Sequence, residues 1–183
     1  MAKKVHNRLA NITGAFCLSE VKNSLLMWAH YAENHKGIVI GLDTSLLPKF
    51  GLPLQPINYV HKYPTKNLKH SVSTYMGRTN NVCGEQWLQE QFFTKSKEWS
   101  YEKEWRLVAP GSIKNSNYLY EFDSAAIKEI YFGCEVEPEI QDKLISLVLL
   151  INKNIRIFES SISDRSFELV FNQIQLSGSK ITK

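Results

Sequence analysis

Apolar residues come in short bursts along this chain, and the spacing within each burst names an element. Ala15 to Leu18 is an apolar run of strand length, read as a buried strand that Ser19 ends. Leu25, Trp28, Ala29 and Ala32 recur at i, i+3, i+4 and i+7, which makes one stripe of a helix. Asn23 or Ser24 can cap its start, and Gly37 can end it in a left-handed turn. Ile38 to Leu42 reads as a strand closed by Asp43. Pro48, Pro53, Pro56 and Pro64 punctuate a loop, with a short strand at Ile57 to Val60. Lys66 to Asn81 is polar and ambiguous, and Glu85 to Phe93 is an amphipathic helix. Strands are expected at Trp105–Val108, Tyr118–Phe122, Ile127–Phe132, Ile155–Phe158 and Phe167–Ile174. Pro138 opens a helix running to about Leu150, with Ile140, Leu144, Leu147 and Val148 on its apolar face. This order predicts an α+β fold, a mixed and mostly antiparallel sheet with about three helices packed on it.

The densest chemistry lies in Lys95 to Gly111, KSKEWSYEKEWRLVAPG. The period changes inside it, from helix or loop to strand. With Glu104 to Val108 as a strand, Glu104, Arg106 and Val108 share one face, and Trp105 and Leu107 share the other. The tryptophan and leucine are the natural core contacts, which turns Glu104 and Arg106 outward. Glu98, Glu102 and Glu104 are the candidate acids. A carboxylate opening a strand and bordered by Trp99 and Tyr101 can stabilise a developing cation or accept a proton. The competing interpretation is a structural ion pair at a sheet edge.

On the helix before Gly37, residues advance by about 100° each. Trp28, Tyr31 and His35 then lie along one edge of the stripe, while His30 lies opposite. Tyr31 and His35 would present a hydroxyl and an imidazole at the mouth of a cleft. Alternatively Trp28 and Tyr31 belong to the core, and His35 with Lys36 complements the helix dipole. His30 and His35 are five apart, which is not the spacing of a helical metal pair, so no metal is expected.

Composition narrows the class. A chain of 183 residues with 43% hydrophobic and 22% charged residues reads as a single globular domain over 1–183, with 1–12 a loose basic segment. The net charge of +4 is scattered apart from Lys3–Lys4 and the Lys62–Lys69 region, which supports nucleic-acid binding only faintly. Cys17, Cys83 and Cys134 form no CxxC pair. Cys17 and Cys134 read as small core fillers. The N-terminus lacks an apolar signal region. The longest apolar run, Leu144 to Ile151, is too short to span a bilayer. A reduced, cytoplasmic protein without a membrane partner is the expectation.

Phe16-Cys17-Leu18-Ser19, Leu26 to Gly37, Trp99 to Arg106 and Ile127 to Gly133 together resemble a bacterial family known only as the domain of unknown function numbered twenty-nine seventy-one. Its members recurrently show a CFS segment, an L-M-W-x-H-Y-A-x-x-H-x-G block, a W-x-Y-E-x-E-W-R block and a later I-x-x-I-x-x-G. The family also carries an upstream segment with an aromatic-basic strand and an F-N-D-P motif. This chain begins just before the CFS equivalent; the resemblance implies an upstream half lost by truncation or a late start codon, and leaves open a working site or the remains of one. An open sheet edge left there would favour a homodimer.

Glu102 to Gly111 is also similar to the E-x-E strand of ADP-ribosyltransferases, where a glutamate opens a strand that runs into a Pro-Gly turn. The resemblance implies NAD as cosubstrate, Glu104 as the catalytic carboxylate and Glu102 as an orienting one, with Tyr101 beside them. Trp28, Tyr31, His35, Trp99 and Arg106 would bind substrate. Two alternatives stand beside this transferase expectation. One is a non-enzymatic interaction or regulatory domain of a bacterial defence or toxin module, with Trp28, Tyr31, Trp99 and Tyr101 as its contact surface. The other is a nucleic-acid-processing domain.

Overall fold

A computed structural model describes residues 13–49, 52–62, 90–110 and 121–175. Its strands, in chain order, are β1 (Thr13–Ser19), β2 (Ile38–Leu42), β3 (Leu52–Pro56), β4 (Asn58–Val60) and β5 (Thr94–Ser96). They continue with β6 (Glu104–Pro110), β7 (Ile127–Phe132), β8 (Arg156–Ile162) and β9 (Leu169–Gln173). Among the described residues, α1 (Leu25–Tyr31) and α2 (Pro138–Ile151) are complete α-helices, and 3₁₀ segments cover Thr44–Leu46, Lys97–Glu102 and Ser124–Ala126. The class is α+β with mostly antiparallel sheets. The chain forms two compact units, one from Met1–Val21 and Lys49–Tyr120, the other from Lys22–Pro48 and Glu121–Lys183.

In the first unit β6 is the central strand of an antiparallel sheet, ordered β1-β6-β3. The β1 register runs from Thr13 opposite Pro110 to Ser19 opposite Glu104. The β1 strand is not the buried run that its apolar composition predicts. It is a sheet edge, and Ala15, Phe16 and Cys17 are exposed. The β3 strand falls inside the expected proline loop. Pro53 and Pro56 fit there because an edge strand leaves some N–H groups out of the ladder, and its register is irregular between Leu52 and Gln55. The β4 and β5 strands pair in parallel and set Tyr59 opposite Lys95. Ile57, Phe93 and Val108 form a small core, with Leu52, Tyr59 and Phe92 packed around it.

The second unit is a sheet ordered β2-β7-β8-β9, with only β7 and β8 parallel. Strand alternation gives it two apolar faces. On one, Ile130, Phe132, Ile155 and Ile157 pack with Ile145 of α2, and with Leu144, Val148 and Leu149 at its margin. On the other, Tyr131, Leu169, Phe158 and Phe171 pack with Trp28 and Ala32 at α1. Each large side chain buried in this way contributes about 1.5–3 kcal/mol. Pro138 opens α2 as expected, but the helix is rotated. Leu144, Ile145, Val148 and Leu149 face inward, while Ile140 and Leu147 are exposed.

Ser24 caps α1, and its hydroxyl accepts from the Met27 amide at 3.4 Å. Ser24→Ala is therefore expected to lower stability by about 0.5–1 kcal/mol, read by urea denaturation. The helix ends earlier than its stripe implies, at Tyr31. The left-handed turn belongs to Glu33, Asn34 and His35, with φ of 51°, 51° and 68°, and not to Gly37. Gly37 is required for closeness instead, since a Cβ there would lie 3.1 Å from the Ala32 carbonyl carbon and oxygen. Among the described residues no helix is long and apolar enough to cross a membrane. Lys66–Asn81, residues 85–89 of the expected third helix and residues 118–120 lie outside the described residues, while 90–92 are helical. Glu121 and Phe122 are not in a strand.

Candidate functional site

Lys97–Glu102 winds as a 3₁₀ turn, Lys103 takes a left-handed backbone with φ of 42°, and β6 starts at Glu104. This reversal sends the exposed Lys103 outward and turns both flanking glutamates to the same cation. The Lys95 ammonium pairs with the Glu102 carboxylate and, at 3.0 Å, with Glu104. Arg106 donates to Glu104 through Nε at 2.6 Å and Nη2 at 3.2 Å, and its Nη1 donates to the Phe92 carbonyl at 2.6 Å. The Glu104 amide donates to the Tyr59 hydroxyl at 2.8 Å, and Ser19 Oγ donates to the Glu102 carbonyl at 2.7 Å. The two carboxylates and two cations balance in charge.

The expected phase of β6 is correct, but the face is not. Glu104 is 6% exposed and Glu102 is 2% exposed. The Glu104–Arg106–Val108 face is the covered one because Tyr59, Lys95, Phe92 and Phe93 lie against it. Leu107 on the opposite face is buried too, and Trp105 donates its indole N–H to Glu20 at 2.6 Å.

Burial alone would raise the Glu104 carboxyl, but hydrogen bonds from Arg106, Cys17 and Lys95 outweigh it and hold the pKa at about 2. The same burial opposes the Lys95 charge, yet its bonds to Glu102 and Glu104 keep its pKa above the usual lysine value. The Cys17 side chain hydrogen-bonds Glu104 and Arg106. Desolvation, reinforced by Glu104, pushes its pKa to about 11. Such a thiol is neutral near pH 7 and a weak nucleophile. The residue as a whole is exposed on the edge strand while its thiol lies against Glu104 and Arg106, so Cys17 is not the core filler that its setting in the sequence suggests.

The other candidates separate. Trp99 is 37% exposed; its ring lies 5.1 Å from the Lys95 ammonium and 6.0 Å from the Tyr101 ring. Glu102, Glu104 and Trp99 thus gather around Lys95 in the first unit, with Arg106 on Glu104 and Tyr101 beside Trp99. Trp28, Tyr31 and His35 belong to the second unit. Trp28 is a core residue, 1% exposed, with its indole N–H bonded to the Lys22 carbonyl at 2.6 Å. His35 lies beyond the helix and stacks on Trp28 at 6.4 Å, while Tyr31 is exposed. Sequence reasoning missed Lys95, Tyr59 and Cys17. The available signal was the density of acids that follows Lys95 on the approach to β6.

An NAD-facing E-x-E glutamate needs an oxygen free to meet the nicotinamide ribose. Here both Glu104 oxygens accept hydrogen bonds from side chains of the same unit. Among the described residues no cluster of three or more His, Cys, Asp or Glu is arranged to hold a metal ion. Residues 27–107 match the model of a family described as Protein of unknown function (DUF2971). No curated protein and no solved structure matches the chain.

Proposed function

We propose that this chain, which matches the DUF2971 family model over residues 27–107, is a non-enzymatic interaction domain, in which the E-x-E block is an internal scaffold and not a transferase centre. The observation that carries this reading is the closed network itself, in which Lys95 and Arg106 neutralise Glu102 and Glu104 below the surface. A carboxylate already bonded to two cations has little charge to offer an oxocarbenium-like transition state. What borders the network is an aromatic ledge, Trp99 over Lys95 with Tyr101 beside Trp99. Such rigid aromatic side chains suit a contact surface. The finding that Glu104 opens β6, as in the transferase strand, favours the enzymatic alternative, which would require Lys95 and Arg106 to release it.

Labelled NAD and a cell lysate test the choice. The expected result is no label transfer, either with the wild-type chain or with Glu104→Gln. Transfer that depends on the wild-type chain would overturn the scaffold reading, most directly if folded Glu104→Gln abolishes it.

A further inference from the structure

We propose that the second unit carries a recognition site for a primary alkylammonium group, and that Lys22 occupies it as an internal ligand. Three aromatic rings form the site. Tyr131 and Phe158 are register partners on β7 and β8, with ring centroids 4.8 Å apart and planes 14° apart. Phe171 from β9 meets Tyr131 edge-on at 4.9 Å. The Lys22 ammonium lies 4.6 Å from the Tyr131 centroid, 5.6 Å from Phe171 and 5.8 Å from Phe158. All three fall within the reach of about 6 Å over which a ring face attracts a cation.

The polar groups around the rings are ordered for the same ligand. Lys22 donates to the Tyr131 hydroxyl at 2.8 Å, and that hydroxyl donates its own proton to Glu129. Its lone pair therefore faces the ammonium. Arg156 holds the other Glu129 oxygen. Gly41 opposite leaves space for the carboxylate, since a Cβ there would lie 2.9 Å from Glu129 Oε2. A second polar group stands ready on this face. Ser160, two residues along β8 from Phe158 and paired with Phe171, buries its hydroxyl with no hydrogen-bond partner among the described residues.

The occupant is easier to move than the site. Tyr131 is 1% exposed and fixed by its packing, whereas Lys22 is exposed and reaches in on a flexible stem. An amine of the same shape can replace the Lys22 head without repacking the sheet. Lys22 then acts as a competitor at high local concentration, and it weakens the apparent affinity in proportion to its occupancy. The site lies in a different unit from the Glu102–Glu104 network and does not depend on the function proposed for it.

The test is a titration with n-butylammonium chloride at constant ionic strength, followed by NMR shifts of the Tyr131, Phe158 and Phe171 rings. Lys22→Ala is expected to bind with an apparent Kd about tenfold lower than wild type. Tetramethylammonium, which has no N–H for the Tyr131 hydroxyl, is expected to bind more weakly, and adding Phe158→Leu to Lys22→Ala should abolish saturation. Lys22→Gln, which keeps most of the stem and drops the charge, replaces the alanine variant if that variant loosens the fold. A folded Lys22 variant that shows no saturable shift overturns the proposal. So does saturation that Phe158→Leu leaves unchanged.

Discussion

Glu104→Gln is expected to lower stability at pH 7 by about 3 kcal/mol, measured by urea denaturation. The substitution keeps shape and removes one charge. It leaves Lys95 and Arg106, only 22% and 19% exposed at their side chains, with a single carboxylate between them. The size follows from the titration. Glu104 moves from an ordinary 4.5 to about 2 on folding, and each tenfold change in proton affinity corresponds to about 1.4 kcal/mol. A carboxyl depressed in the folded state contributes its stability above its unfolded pKa. That contribution is lost as pH falls from 4.5 toward 2. The gap between wild type and Glu104→Gln should therefore shrink to less than about half by pH 3. A gap below about 1 kcal/mol at pH 7, or one that does not narrow in acid, would show that the network contributes no more than a surface pair.

This network was half legible in the sequence. The alternation of Glu104, Trp105, Arg106, Leu107 and Val108 gives the strand and its two faces. It cannot say which face is covered, because the cover comes from Tyr59 and Lys95 on a parallel β4–β5 pair. Parallel pairing in three-residue strands leaves no periodic trace. The rotation of α2 has a similar origin. Leu144, Ile145, Leu147, Val148, Leu149, Leu150 and Ile151 offer several apolar stripes, and the sheet decides which is used. The β3 strand was hidden by prolines that an edge tolerates. The Lys22 site was the least visible part. Its lysine and tyrosine are 109 residues apart, and each alone reads as an ordinary surface or core residue. Gly41 in the middle of β2 was the one local hint, because a strand glycine often marks close approach of another group.

Gly133→Ala is expected to cost about 3 kcal/mol, the upper range for overpacking. Gly133 follows β7 and donates its amide to the Gly37 carbonyl at 3.0 Å. An added Cβ would lie 2.0 Å from the His35 carbonyl oxygen and 2.6 Å from its carbon. These are backbone atoms, and they cannot turn aside as a side chain would. His35 is held at three points: its φ of 68°, its ring stacked on Trp28, and its carbonyl accepting the Glu135 amide at 3.0 Å. Relief therefore requires moving the left-handed turn off the end of β7. Such a shift would disturb the stacking that completes the Trp28 side of the core. The glycine ending the I-x-x-I-x-x-G pattern thus has a steric reason in this chain, independent of any ligand. Urea denaturation of Gly133→Ala reads the cost, and a loss under about 1 kcal/mol would mean that the turn yields and the close approach is not required.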